Sequence, residues 1–246
     1  MIKDVEGIII NTKDYKDSSK ILDIFTKEYG VIGVISKGCK SLKSNLRSIS
    51  DKFVFAKFTI YYKKDKLSIL SEASIINNFS NIKKDIKKIS YASYILDLTN
   101  QVYKQSNVLE LYNLLINSLV KINEGFNPLI ITNILELKYL DYLGIMLNLD
   151  ECSVCGSKNV ITLSSDKGGF LCNKCRTYEP IISSKAIKLI RLYYYVDIEK
   201  ISKLDIDNKV VEEINIFIDD YYDRYTGLYV KSKDFIKQIN KIDTIK

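Results

Sequence analysis

The chain has 246 residues, of which 27% are charged and 46% apolar, the composition of an ordinary globular protein. This length is enough for a well-buried core and for two or three modules. No apolar run approaches the ~20 residues that span a bilayer, and the charged start MIKDVEGIIINTKDYKD does not resemble a signal peptide. We therefore expect a cytoplasmic protein with no membrane attachment.

The positive charge is concentrated in one part of the chain. The formal net charge is +7, and residues 36–66 alone hold nine basic residues against two acidic ones. Such a concentration is typical of a surface that binds a polyanion, although a solvated lysine-rich face is an alternative. The nine basic residues are Lys37, Lys40, Lys43, Arg47, Lys52, Lys57, Lys63, Lys64 and Lys66.

The N-terminal third has the pattern of short strands. Runs of β-branched and aromatic residues are separated by turn residues, which predicts a small β-barrel or sheet. A five-stranded OB-type barrel is the expected fold at this size. We therefore predict an OB-fold nucleic-acid-binding domain at residues 1–80. The runs are 7–12, 21–26, 31–36, 53–62 and 67–76.

The fourth run, residues 53–62, alternates between two faces. The face opposite the predicted core combines Phe53 and Phe55 with Lys57 and Tyr61. Because bases stack on aromatic rings while lysines follow phosphates, Lys57 and Tyr61 are candidate contacts to single-stranded DNA. Packing of the aromatic residues under a neighbouring helical module is the alternative. The predicted core face holds Val54, Ala56, Phe58, Ile60 and Tyr62.

After residue 80 the apolar period changes from two to about 3.6, which indicates helices. Asn127 followed by Pro128 predicts one helix start, and later helices are predicted to begin at Ser183 or Ser184 and at Asp207 or Asn208. We predict a helical domain at 81–150 and C-terminal helices at 179–246 that pack against it. The first predicted helix carries the stripe Ile82, Ile86, Ile89, Ser93 and Leu96, and the second carries Leu111, Leu114, Leu115 and Leu119.

Four of the five cysteines form two Cys-x-x-Cys pairs. Without a secretory signal a disulfide framework is not expected, and a redox Cys-x-x-Cys normally occurs once, near a βαβ pattern. Two pairs separated by a Gly168-Gly169 turn predict two knuckles joined by a hairpin. Four thiolates favour one structural zinc ion with no open position for catalytic water. An iron–sulfur cluster and a degenerate, empty finger are the alternatives. The finger is placed at residues 151–178, with ligands Cys152, Cys155, Cys172 and Cys175.

Patterns that indicate catalysis are absent from the sequence. It has no histidine, no P-loop and no G-x-G-x-x-G motif, and Cys39 is interpreted as an incidental free cysteine. We therefore predict a binding protein with no catalytic residues, which acts without ATP. Two rival hypotheses remain: a zinc-finger nucleic-acid-binding regulator without annealing activity, and an enzyme in which the finger braces a lid.

Several short motifs follow one another in a characteristic order. They are TKEYG at 26–30, KGCK at 37–40 with Ser44, Glu136-Leu137 and Leu143-Gly144 ahead of the first cysteine pair, and LYVKS at 228–232 with Phe235. In order and in module arrangement the chain resembles the RecO family of bacterial recombination mediators. Cys39, at the third position of KGCK, departs from the small residue that is usual there.

The resemblance implies a function in DNA repair and homologous recombination. RecO-like proteins have an N-terminal OB fold, bind single- and double-stranded DNA and anneal complementary strands. The implied partners are RecR, the acidic tail of the single-stranded-DNA-binding protein and, indirectly, RecA, in the cytoplasm at the nucleoid. Carried over by position, the implied DNA surface includes Lys37, Lys40, Lys43 and Arg47.

Overall fold

The computed structural model describes residues 1–244, with side chains described through residue 240. Five strands form a closed barrel, and helices interrupted by a two-stranded hairpin follow it. The barrel strands are β1 (Ile2–Tyr15), β2 (Ser19–Thr26), β3 (Gly30–Ser36), β4 (Phe55–Tyr61) and β5 (Ser68–Asn77), and the hairpin strands are β6 (Val160–Ser164) and β7 (Gly169–Cys172).

The barrel has the strand order β1-β2-β3-β5-β4 and closes where β4 pairs with β1. All of its pairings are antiparallel except that of β3 with β5. This exception follows from the path of the chain: β4 runs against β1 and β5 runs against β4, so β5 must run in the direction of β3. The predicted five-stranded OB-like barrel is confirmed, with one parallel pair that the sequence pattern did not reveal.

Strand β1 connects the barrel to the helices. It pairs with β4 along residues 2–8 and with β2 along residues 7–15, with a bulge between Ile9 and Asn11. Ile9 lies in the barrel core, whereas its neighbours Ile8 and Ile10 lie in the core that the barrel shares with the helices. The three consecutive isoleucines are apolar because both faces of this strand are buried.

The two faces of β4 also divide between these cores. Phe53 and Phe55, which the sequence placed on a nucleic-acid face, are buried in the shared core. The rings of Phe55 and Phe79 stack with centroids 6.4 Å apart. For these two phenylalanines the alternative explanation, packing under the helical module, is therefore the correct one. The predicted core face is confirmed, with the barrel core holding Val54, Ala56, Phe58 and Ile60 and Tyr62 packed against it.

Helix α4 is central among the helices, because it contacts α2, α3, α5 and α6. Among the described residues no helix is both long and apolar enough to cross a membrane. The helices are α1 (Ser80–Lys83), α2 (Ile86–Ser106), α3 (Leu111–Glu124), α4 (Pro128–Tyr142), α5 (Ser184–Tyr195), α6 (Asn208–Tyr225) and α7 (Lys231–Thr244), with a 3-10 turn at Ile198–Lys200.

Three helices begin at a predicted cap residue. The side chain of Asn127 accepts a hydrogen bond from the Leu129 N–H at 3.0 Å, and Pro128 occupies the first turn of α4. Ser183 caps α5 and Asp207 caps α6 in the same way. Each side-chain oxygen satisfies an N–H group that has no partner within the helix, so the predicted starts are confirmed.

The first predicted helix is divided in two. The Asp85 carboxylate accepts hydrogen bonds from the N–H groups of Lys87 at 2.9 Å and Lys88 at 3.1 Å, so a new helix starts there. Ile86 is 59% exposed, and its assignment to the core stripe is wrong. The buried face of α2 consists of Ser90, Tyr91, Ala92, Tyr94, Ile95, Leu96, Leu98, Thr99 and Val102.

Helix α7 packs on α2 and lies within the predicted C-terminal helices at 179–246, but no separate helix was predicted to start there. Lys233 on this helix places its Nζ 2.8 Å from Asp219 Oδ1 and 3.4 Å from Glu136 Oε1. Glu136 is buried and also accepts a hydrogen bond from the Tyr94 hydroxyl at 2.5 Å. A partly buried cluster of one lysine and two carboxylates therefore links α7 to α4 and α6.

Candidate metal centre and nucleic-acid interface

The four predicted ligand cysteines meet at one end of the β6–β7 hairpin. Their Sγ atoms all lie within 4.8 Å of one another, and the Sγ atoms of Cys155 and Cys172 are 3.6 Å apart. Four sulfurs at about 2.3 Å from a tetrahedral zinc ion would be separated by about 3.8 Å. The spacing of the thiols suits one metal ion, and they could form a zinc site.

Each cysteine pair forms a tight turn that directs two thiols to one point. In the first, the Gly156 N–H donates to the Cys152 carbonyl at 2.9 Å, and Gly156 has φ +72°, a left-handed conformation that favours glycine. In the second, the Arg176 N–H donates to the Cys172 carbonyl at 3.0 Å. The two turns have the same hydrogen bond, which explains why the Cys-x-x-Cys spacing occurs twice.

The backbone around the cysteines favours negative charge on two of them. Burial raises the pKa of Cys152, but N–H groups, first that of Cys172, outweigh burial and lower this pKa to about 6. The Cys175 N–H lowers the pKa of Cys172. In contrast, a hydrogen bond with Cys155 raises the pKa of Cys175 to about 12. Since thiolates are the metal-binding form, these N–H groups support metal binding.

Helix α5 holds the hairpin through Arg191, which the sequence analysis did not identify. Its guanidinium lies 4.9 Å from the ring centroid of the buried Phe170. The same side chain donates to the carbonyl oxygens of Leu149 at 2.7 Å and Asp150 at 3.0 Å. The segment that carries the cysteine cluster is therefore attached to α5, and no local sequence pattern links Arg191 to Phe170.

The first part of the predicted basic segment, residues 37–54, forms the loop between β3 and β4, here called the basic loop. The Lys40 N–H donates to the Ser18 carbonyl at 2.9 Å, and the hydroxyls of Ser36 and Ser50 form a hydrogen bond of 2.8 Å. Ile49 inserts into the barrel core. These contacts attach the loop to the barrel and determine where its charged side chains leave the surface.

The structure brings four predicted DNA-binding residues together on this basic loop. Lys37, Lys43 and Arg47 are exposed, and within the described part of the chain none of them forms an ion pair. Lys40 is half-buried, and its Nζ lies 2.9 Å from Asp14 Oδ2. Three unpaired cations are thus available to a polyanion, while Lys40 is partly neutralised.

The other two predicted DNA-binding residues lie on β4 rather than on the basic loop. Lys57 is opposite Glu6 in the pairing of β4 with β1, and its Nζ is 3.7 Å from Asp4 Oδ2. Tyr61 is 47% exposed at the end of the strand. The two acidic neighbours make this outer face of β4 less attractive to phosphate than the basic loop.

A cluster of one lysine and two tyrosines was missed in the sequence. The Lys3 Nζ is 4.3 Å from the ring centroid of Tyr29 and 4.5 Å from that of Tyr62, and it donates to the Tyr29 hydroxyl at 2.7 Å. The three residues come from separate parts of the barrel, so only the closed sheet brings them together. Cations beside aromatic rings are common where single-stranded nucleic acids bind.

Two family models together match most of the chain. Residues 1–79 match the N-terminal domain of recombination protein O, and residues 83–234 match its C-terminal domain. The chain belongs to the RecO family of DNA repair proteins. The family resemblance seen in the short motifs is therefore confirmed, and a role in recombination with DNA binding is consistent with membership of the RecO family.

Curated relatives of this RecO-family chain agree over nearly its whole length. The DNA repair protein RecO of Listeria monocytogenes serotype 4b (strain CLIP80459) is 34% identical over 242 residues, which cover 96% of this chain and 94% of the relative. The DNA repair protein RecO of Halalkalibacterium halodurans is 33% identical over 247 residues, covering 98% and 97%. That of Bacillus pumilus (strain SAFR-032) is 34% identical over 242 residues, covering 96% and 94%.

Proposed function

We propose that this RecO-family chain is a recombination mediator that binds DNA and anneals complementary single strands without a nucleotide. The observation that carries the proposal is the basic loop, an ordered segment of an OB-like barrel that exposes Lys37, Lys43 and Arg47 without ion pairs. Lys40 adds a fourth, partly neutralised cation, and Lys57 and Tyr61 on β4 are secondary contacts.

Annealing needs two strands that repel each other to be held close together. A cationic surface neutralises phosphates and releases their counterions, which favours binding of any sequence and makes binding salt-dependent. Exposed tyrosines can hold bases by stacking while leaving them accessible for pairing. In this mechanism the protein contributes charge and position, so no bond of the DNA is broken and no catalytic residue is required.

The proposed partners come from the family rather than from the contacts seen in this chain. RecR and the acidic tail of the single-stranded-DNA-binding protein would bring the chain to coated DNA, and RecA loading would follow. A net charge of +7 supports attraction of an acidic tail. We place this activity in the cytoplasm, at the nucleoid.

We further propose that the cysteine cluster holds one structural zinc ion. Four cysteine ligands complete a tetrahedral shell and leave no position for a reactive water molecule, so the metal would join the two turns of the finger and take no part in chemistry. The proposed units are an OB domain at 1–80, a helical domain at 81–150, the finger at 151–178 and C-terminal helices at 179–246.

The test is the annealing of two complementary oligonucleotides that carry fluorescent labels. Energy transfer between the labels measures annealing, in the absence of ATP. We expect the protein to accelerate annealing at low salt, and raised salt or replacement of Lys37, Lys40, Lys43 and Arg47 by alanine to slow it. Strands coated with the cognate single-stranded-DNA-binding protein should also anneal, and deletion of that protein's acidic tail should remove this ability. DNA binding without accelerated annealing would reduce the function to a simple nucleic-acid-binding module.

A further inference from the structure

A groove between the finger and α6 belongs to neither of the sites described above. It has a volume of about 350 Å³ and runs between β6, the segment after the second cysteine pair and one face of α6. Leu163 and Phe217 form its apolar floor. Ile216 and Tyr178 form its edges and are 69% and 73% exposed. Large apolar side chains that remain exposed together around a concave surface indicate a protein–protein contact.

The charge of the groove is opposite to that of the whole protein. Arg224 is the only cation among the described residues that line it, and its guanidinium lies 2.6 Å from Asp166 and 2.8 Å from Asp220. The whole chain carries a net charge of +7. A local excess of carboxylates repels nucleic acids and acidic peptides and attracts cations. The acidic residues of the lining are Asp166, Glu179, Glu213 and Asp220.

Two of these carboxylates have no cationic partner within the described part of the chain. Glu179 is buried and accepts hydrogen bonds from Ser164 at 2.7 Å and from the Thr177 N–H at 2.9 Å. Glu213 is only half-buried, and Ser183 donates to its Oε2 atom at 2.9 Å. Among the described residues no hydrogen bond reaches Glu213 Oε1, so this oxygen is the available acceptor at the edge of the apolar floor.

We propose that the groove binds a peptide segment of a partner protein in which a large apolar side chain lies next to a lysine or arginine. The apolar side chain would pack on Phe217 and Leu163 between Ile216 and Tyr178, and the cation would pair with Glu213. Apolar burial supplies the affinity and the carboxylates supply the selection for a basic peptide. The proposal does not depend on DNA binding, because it uses no residue of the basic loop.

The test uses fluorescence anisotropy with the full-length protein and three labelled synthetic peptides of equal length. One alternates leucine with lysine, the second has glutamate in place of lysine, and the third has serine in place of leucine. We expect only the first to bind. Ile216→Ser should weaken its binding by about tenfold and Glu213→Gln by about fivefold, the losses expected when one buried contact is removed. Ile86→Ser, which replaces an exposed isoleucine at the start of α2, is the matched control and should bind as the wild type does.

Two measurements keep the proposal falsifiable. Single-stranded DNA binding by Ile216→Ser should equal that of the wild type, which shows that the variant is folded and separates this proposal from the proposed mediator function. Sedimentation velocity of the free protein should show the same oligomeric state for Ile216→Ser and the wild type. Equal peptide binding by Ile216→Ser and wild type, preference for the acidic peptide, or self-association through this face would each overturn the assignment to a basic partner segment.

Discussion

The ammonium group of Lys233 on α7 lies 3.4 Å from the buried Glu136 carboxylate on α4. Burial raises the pKa of Glu136, and Lys233 only partly opposes this effect. Burial also opposes the charge on Lys233, but Glu136 and Asp219 outweigh it and raise the pKa of the lysine. The buried Glu136 carboxylate and the Lys233 ammonium group therefore each stabilise the charged form of the other.

Removal of Lys233 should destabilise the protein strongly. We expect Lys233→Met to lower the free energy of unfolding by about 3–5 kcal/mol, because it leaves the Glu136 charge buried without its partner. Urea denaturation provides the measurement, and Lys231→Met, an exposed lysine on the same helix, is the matched control. The double variant Glu136→Gln/Lys233→Met should be more stable than Lys233→Met alone. A loss below about 1 kcal/mol, typical of a surface pair, would contradict this account.

The destabilisation by Lys233→Met should depend on pH. Because burial raises the pKa of Glu136 above 4.5, the folded protein holds this proton more tightly than the unfolded chain does. The stability contributed by Glu136 therefore falls as pH rises through the ordinary value of a glutamate. Lys233 limits this fall, so its removal should cost less stability near about pH 4 than near about pH 7. Unfolding free energies of Lys233→Met and Lys231→Met across this range check the sign, and a difference that does not change with pH would refute it.

The metal proposal predicts about one zinc ion per chain in the purified protein. Cys152→Ser and Cys175→Ser should lower both the metal content and the melting temperature, as should a strong chelator, because the ion joins two turns of the finger. Elemental analysis and thermal melting measure the two effects. Cys39→Ala is the control; alanine is chosen because Cys39 is buried and serine would bury a hydroxyl group there. Metal-free protein with unchanged melting temperature would remove the structural role of zinc.

The basic loop should determine how DNA affinity depends on salt. We expect Lys37→Ala/Lys43→Ala/Arg47→Ala to weaken binding to single strands of unrelated sequence and to lower the slope of log affinity against log salt by about 0.7 per lost contact. The matched control replaces Lys63, Lys64 and Lys66, three exposed lysines in the turn between β4 and β5, and removes the same charge from another place. Equal slopes for the two triple variants would mean that total charge, and not the loop, drives binding.

Features encoded by neighbouring residues could be predicted from the sequence. The strands of the barrel, the capped starts at Asn127, Ser183 and Asp207, and the two cysteine turns each depend on a few consecutive side chains and their own backbone. Local turn and cap chemistry is decisive there, since it satisfies backbone groups that lie within the same segment.

Features that depend on distant residues could not be predicted. Helix α7 is rich in charge, and its attachment depends on Glu136 and Asp219, which are far away in the sequence. Phe53 and Phe55 satisfy an aromatic strand pattern equally well under a nucleic acid or under helices, and only the position of Phe79 decides between the two. Lys40 pairs with Asp14 and Lys57 pairs with Asp4. These ion pairs lower the positive charge of the surface, which a count of lysines alone overestimates.

The three isoleucines of β1 affect how the protein unfolds. Ile9 belongs to the barrel interior, while Ile8 and Ile10 belong to the core shared with the helices, so a single segment is common to both hydrophobic interiors. A barrel excised at residue 80 would expose Ile8, Ile10 and Phe55 to water and would tend to aggregate. The barrel and the helices should consequently melt in one cooperative transition, and we expect that the barrel cannot be transplanted to another protein without the helices that cover it.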